Sequence, residues 1–299
     1  MQKYRNSLIL ITLTILLTMT VIGSIWDFEI AKAVFIGESP SKNLFGIIFS
    51  YIGIIPTFVG WSFIGASILY LSKTQIASIK KRRWLMAFAI LLFVLSVFYY
   101  CNTLFLSNAN AFKVHFAVAY SIGISIIGVT AYLGYVFAKR INSAELLNKL
   151  LFLATVSLLT LLIISVTKEL MCRPRFRFVL ATNNEDYFRN WWQSGRLIKA
   201  SLDTATVTDE FSSLPSGHSA YSMFAIFLFP TLADFSTKLK KYNIFFFILG
   251  LAWWVTTALS RVTIGAHYLT DVTIAGLVTI FAYVAVSLTK KFYLNKHKK

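Results

Sequence analysis

The sequence predicts an all-α fold, a polytopic transmembrane helical bundle of about eight spans. Three observations carry the prediction. First, 57% of the 299 residues are hydrophobic, only 14% are charged, and mean hydropathy is +0.68. Soluble domains run at roughly 45–50% apolar and about 25% charged, so a water-soluble globule is excluded. A disordered chain needs the opposite bias. Second, the apolar residues lie in long continuous runs, whereas a membrane barrel shows alternation. Third, the connections between runs are strongly basic and near-balanced in turn.

Eight runs approach the roughly 20 residues that cross a 30 Å hydrocarbon layer. Residues 7–26 follow Lys3 and Arg5. Basic residues before an apolar stretch also begin a secretory signal, but this stretch is long and lacks a clear small-residue cleavage site, so it reads as a retained span. Runs 52–72 and 84–106 flank Lys73, Lys80, Lys81, Arg82 and Arg83. Run 114–138 ends at Lys139 and Arg140, and 149–167 ends at Lys168. Run 218–234 is short and carries Pro230 near its end. Runs 243–260 and 268–289 complete the set.

With the amino terminus inside, odd-numbered spans run outward. The inner segments then hold 18 of the 29 basic residues, opposed only by Glu145 and Asp234, while the outer segments hold 11 basic against 10 acidic. This is the positive-inside pattern, and topology therefore accounts for the net charge of +17. No basic stretch interleaved with base-reading aromatics occurs, so nucleic acid is not an expected partner. Cys101 and Cys172 make neither a disulfide framework nor a zinc quartet. Both lie toward the outer side, which leaves one bridge open; packing is the simpler role.

The segment 168–217 breaks the pattern. It carries Lys168, Arg173, Arg175, Arg177, Arg189, Arg196 and Lys199 on the expected outer side. Loops this long without structure of their own are usually functional or disordered. For the middle of the loop, attraction to anionic headgroups fits, with Trp191 and Trp192 as interfacial anchors. For its two ends, an anionic substrate fits better.

Three short stretches stand at membrane edges. In Lys168-x6-Arg175, two cations lie about two helical turns apart, and Pro174 ends the helix so that Arg175 falls in a turn beyond it. Snorkelling anchors have the same composition. In Pro215-Ser216-Gly217-His218, Gly217 permits a tight turn, and the start of the next span offers free N–H groups to an anion. An ordinary capped helix start would use Ser216 the same way. In Ser260-Arg261-x5-His267-x3-Asp271, the imidazole and carboxylate are i, i+4 on one helix face. A carboxylate inside an apolar span needs a partner or a task, and by fixing the tautomer it frees the other ring nitrogen to attack or accept a proton.

All of these residues share the outer boundary under this topology. Three cations, a helix start and two histidines suit phosphoryl transfer, with one histidine attacking and the other handling the proton. Three cations would oppose a metal ion, so neither metal nor cofactor is expected. His115 reads as an interfacial histidine, His297 as a solvated residue of the basic tail, and Cys172 as a packing residue without a base.

These motifs resemble the type 2 phosphatidic acid phosphatase (PAP2) superfamily, which includes lipid phosphate phosphatases, glucose-6-phosphatase and vanadium haloperoxidases. Its signature is K-x6-RP, PSGH and SR-x5-H-x3-D. The second and third parts match in full, and the first has Phe176 where the family usually has Pro. The resemblance covers roughly 114–290. It implies a PAP2-like six-helix core that leaves the first two or so spans outside, with 114–290 as the catalytic core and 1–113 largely outside that motif-bearing part, in a single membrane domain of 1–299. It implies His267 as nucleophile forming a phosphohistidine, Asp271 orienting it, and His218 protonating the leaving oxygen and then activating water. Lys168, Arg175 and Arg261 would clamp the phosphoryl group, assisted by Ser216 and Gly217. The implied activity is metal-independent hydrolysis of a lipid phosphate or pyrophosphate at the extracytoplasmic face of a cell membrane, with both termini cytoplasmic and membrane lipids as surroundings. Undecaprenyl pyrophosphate, phosphatidylglycerophosphate and phosphatidic acid suit such a site. Rival readings are a lipid phosphotransferase, hydrolysis of a soluble sugar phosphate in a lumen, and a transporter without chemistry.

Overall fold

The apolar runs fold as helices, and every regular element among the described residues is helical. The computed structural model describes residues 2–39, 41–111, 115–202 and 209–296. His297, Lys298 and Lys299 of the basic tail lie outside these, as does 203–208 of the long connection. In chain order the helices are α1 (Gln2–Val34), α2 (Leu44–Ile52), α3 (Ile55–Gln75), α4 (Ile79–Ala111), α5 (Phe116–Ile141) and α6 (Ala144–Met171). There follow α7 (Phe176–Ala181), α8 (Arg196–Ser201), α9 (Gly217–Met223), α10 (Ala225–Ala233), α11 (Asn243–Thr263) and α12 (Leu269–Lys296).

Among the described residues, seven helical segments are long and apolar enough to cross a membrane. The run predicted over 218–234 is present as α9 and α10, two short helices meeting at Phe224, with Pro230 inside the second. Neither is long enough to count with the seven. Most of their residues are buried, because α9 is enclosed by α3, α6, α11 and α12. The first helix runs past its predicted end to Val34, with a break in the helical backbone at Trp26 (φ −124°, ψ 25°).

α3 is the central post. Its apolar window, with α2, is 67% buried, and it packs on α4, α5 and α6. In lipid, apolar area alone does not drive helices together, so close backbone approach and polar links must. Gly134 on α5 supplies the approach: a Cβ there would run into the Phe63 carbonyl oxygen. The Ser67 hydroxyl donates to the Gly134 carbonyl at 2.8 Å, and Trp61 Nε1 donates to Ser157 Oγ of α6 at 2.7 Å. On the other side, α1 lies against α12.

The described part of the long connection after α6 is folded rather than open. Cys172, Phe178, Ile198 and Phe211 form a small core of their own. Cys101 and Cys172 are both free and buried. Cys172 ends α6 in the left-handed region (φ 44°), its N–H bonded to the Lys168 carbonyl, so the helix stops two residues before Pro174, the residue expected to end it. Trp191 donates to Ser24 Oγ of α1 at 2.8 Å, which ties the connection to the first helix, while Trp192 is exposed. At the far end of α6, Lys149 pairs with Glu145 at 3.1 Å and with Asp234 at 3.4 Å. His115 caps α5, its Nδ1 accepting from the Ala117 N–H.

Candidate active site

The motif residues converge at the end of the bundle where α6 finishes and α9 and α12 begin. Lys168 sits in the last turn of α6 and donates to the Ser212 carbonyl. Arg175, three residues past Cys172, is the N-cap of α7. Its N–H is held by the Glu210 carbonyl at 2.8 Å, and its Nη2 donates to Asp209 Oδ1 at 2.8 Å. Its Nε is buried without a partner among the described residues. Arg261, in the last turn of α11, donates through Nη1 to the Ser50 hydroxyl, and its buried Nε is likewise unpartnered.

His267 does not share a helix face with Asp271, as the i, i+4 spacing suggested. Gly265 adopts φ +69°, a left-handed turn that suits glycine. The turn leaves His267 in the link before α12, with Asp271 in the first turn of that helix. His267 Nδ1 bonds the Ser213 carbonyl at 2.7 Å and stands 3.8 Å from Asp271 Oδ2. A carbonyl only accepts, so Nδ1 carries the proton and neutral His267 keeps its Nε2 lone pair. Burial pushes the His267 pKa down to about 3, against the pull of Asp271, and the charges of Lys168, Arg175 and Arg261 add to the push. The imidazole is therefore neutral across the physiological range.

The second motif is more structural than its sequence suggested. Ser216 caps α9 by accepting from Ser219, and its N–H donates to the Asp271 carbonyl at 3.0 Å. The Ser216 N–H is thus committed to joining α9 to α12. Gly217 opens α9 without a left-handed turn, and a Cβ at that position would meet the Tyr221 ring at 3.2 Å. Its value is clearance. His218 Nε2 donates to the Ser50 carbonyl at 3.0 Å, a carbonyl again selecting the tautomer, which leaves Nδ1 as the acceptor. Ser50 of α2 therefore holds both His218 and Arg261.

Sequence reasoning passed over several residues that shape this site. Ser213 binds His267 through its carbonyl and Asp271 through its hydroxyl. Arg173, counted among the cations of the connection, is fully buried, with Nη1 on Asp271 Oδ1 at 2.6 Å and Nη2 on Asp27 Oδ2 at 2.8 Å. Arg177 grips Glu210 through Nε and Nη2 at 2.9 and 2.6 Å. Among the described residues, no group of three His, Cys, Asp or Glu forms a ligand set for a metal ion.

Fold and site together define a class: a polytopic helical membrane protein that gathers guanidinium and ammonium groups around a neutral, tautomer-fixed imidazole. Residues 149–295 match the family model of the PAP2 superfamily, and the chain belongs to that superfamily. Membership supports phosphatase-type enzyme activity in general terms. No curated protein and no solved structure is significantly similar to the chain.

Proposed function

We propose that this protein is an integral-membrane phosphatase that hydrolyses a lipid phosphate or pyrophosphate through a phosphohistidine, without a metal ion. The observation that carries the reading is the pairing of His267 with its clamp. A nucleophilic imidazole must be neutral, with its lone pair free, and His267 is held in that state by burial and by the Ser213 carbonyl. Arg175 and Arg261 each keep a buried Nε without a partner among the described residues, and three cations beside one neutral nucleophile suit a phosphoryl group in transfer.

In the first step, His267 Nε2 forms a bond to phosphorus as the bond to the leaving oxygen breaks, and His218, which takes up a proton at Nδ1 when the anionic phosphate binds beside it, gives that oxygen the proton. In the second, water gives a proton to His218 and attacks phosphorus, the P–N bond breaks, and His267 is released with inorganic phosphate. Lys168, Arg175 and Arg261 hold the phosphoryl oxygens throughout, and Asp271 favours the charge that builds on His267.

The basic inner and balanced outer connections support a cell-membrane protein with cytoplasmic termini and an extracytoplasmic site. A site at the ends of spans suits a substrate whose headgroup stands at the interface while its chain stays in lipid. Undecaprenyl pyrophosphate, phosphatidylglycerophosphate and phosphatidic acid are the substrates to try, the first leading if the cell is bacterial. The test is phosphate release by the purified full-length protein, with and without chelator, in wild type and His267→Ala. Chelator-insensitive release that His267→Ala abolishes is expected. Equal activity in the two proteins would sink the catalytic role.

A further inference from the structure

Asp27 stands at the outer end of the first apolar run, far in sequence from every motif and outside the 149–295 match. It is buried, with its side chain 2% exposed, and it faces Arg173 and Asp271, each 0% exposed. Two carboxylates in such a place are costly unless a cation and hydrogen bonds satisfy them. Here they are satisfied in full. Arg173 spreads its guanidinium between them and donates from Nη1 to Thr270 Oγ1 at 2.8 Å and from Nε to the Arg189 carbonyl at 2.8 Å. Its carbon centre lies 4.2 Å from the centre of the Tyr268 ring.

The same carboxylates close the start of α12. Asp271 reaches back through Oδ2 to the Tyr268 N–H at 2.9 Å, the reciprocal half of a capping box. Asp27 Oδ1 accepts the Thr270 N–H at 3.0 Å, and Oδ2 accepts the Thr270 hydroxyl. A helix start leaves its first N–H groups open, and one of them is here capped by a carboxylate from another helix. The break at Trp26, immediately before Asp27, falls where α1 must aim that carboxylate at α12.

We infer that Asp27 and Arg173 are positioning residues for the phosphoryl-transfer site, fixing the Asp271 carboxylate and the first turn of α12 so that Ser213 and His267 are held in register. This deepens the proposed function and rests on it. Its content is that α1, outside the matched region, is part of the catalytic apparatus rather than an added membrane anchor. Neither residue touches substrate. Each acts through Asp271, whose Oδ2 takes the Ser213 hydroxyl while the Ser213 carbonyl takes the His267 ring proton.

The test uses the full-length protein in detergent or nanodiscs, with the variants Asp27→Asn, Arg173→Lys and Thr270→Ala. Asp27→Asn keeps the shape and removes the charge. A misaligned nucleophile is expected to cost kcat about 10- to 100-fold, with KM within about twofold because the clamp residues are untouched; a protein merely loosened would lose active fraction and melt early. A second readout is independent of turnover. In protein with 15N-labelled histidine, the His267 ring signals, assigned by their loss in His267→Gln, are expected to shift in Asp27→Asn. Wild-type kcat in Asp27→Asn, or unchanged His267 ring signals, overturns the inference. If Asp27→Asn does not fold, Thr270→Ala removes only the hydroxyl that Asp27 and Arg173 share, and the same two readouts decide. Wild-type protein that releases no phosphate from any lipid phosphate sinks the proposed function instead, and the ring signals still decide the positioning.

Discussion

Asp271 does not hydrogen-bond the ring of His267: its Oδ2 stands 3.8 Å from Nδ1, and the Ser213 carbonyl takes the Nδ1 proton at 2.7 Å. Backbone, not carboxylate, selects the tautomer. In a Ser-His-Asp triad, changing the carboxylate to an amide costs about 10⁴ in kcat because the wrong tautomer forms. Asp271→Asn is therefore expected to cost less here, on the order of 100-fold, through lost charge stabilisation and looser positioning. Steady-state kinetics on a lipid phosphate reads this directly.

The low pKa of His267 gives a stability prediction with a definite sign. The native ring takes up a proton only near pH 3, whereas an unfolded histidine does so near 6.5. Between those values the unfolded state binds more protons, so the contribution is present above 6.5 and is lost as pH falls toward 3. Melting temperature in detergent is expected to drop across that window. His267→Gln is expected to drop less steeply, and parallel curves for the two proteins would contradict the assignment.

The clamp cations are predicted to act on the transition state. Arg175→Ala and Arg261→Ala each remove a donor beside the reacting group, and such losses cost about 10²- to 10³-fold in kcat. Ser50→Ala removes the hydroxyl on Arg261 but keeps the carbonyl on His218. A smaller loss, on the order of tenfold, is expected from that variant in the same assay.

Asp209 holds Arg175 at 2.8 Å while its own side chain is 74% exposed. It occupies a position on Arg175 that a phosphate oxygen would need. Asp209→Ala is expected to lower KM, or the inhibition constant of inorganic phosphate, about two- to fivefold, the scale of an exposed ion pair. A raised KM would mean that Asp209 orients Arg175 rather than competing for it.

Orientation in the membrane is open to labelling. Cys101 and Cys172 are buried, so new cysteines can be read against a low background. A cysteine at Glu185 is expected to react with an impermeant maleimide on intact cells, and one at Lys81 only after permeabilisation. The reverse pattern would invert the topology.

Much of the fold was legible because helices in lipid need long apolar runs, and those are visible one segment at a time. The run 218–234 was the exception: α9 and α10 are buried by neighbours, so length in sequence no longer measured what spans. The site was legible where chemistry is local. Lys168, Arg175, His218, Arg261, His267 and Asp271 come together at one end of the bundle. What spacing did not reveal was who holds whom. The spacing of His267 and Asp271 suggests one helix face, but His267 lies in the link between the turn at Gly265 and α12 while Asp271 lies inside α12, and the Ser213 carbonyl takes the place of the carboxylate. Arg173 reads in the sequence as a loop cation, because composition does not distinguish a solvated arginine from one buried between two acids. Asp27 did carry a signal. It is an isolated carboxylate at the edge of an apolar run, the same argument that singled out Asp271.

Asp27 and Thr270 are 243 residues apart in sequence. During synthesis α1 enters the bilayer early, and its acidic end waits for a guanidinium from the middle of the chain and a helix start from near the end of it. Until the last helix arrives, the nascent chain carries an unneutralised acid at the edge of the lipid. Completion of this cluster thus reports that α1, the connection after α6 and α12 have met, and a chain stalled before α12 would display a polar defect in the membrane.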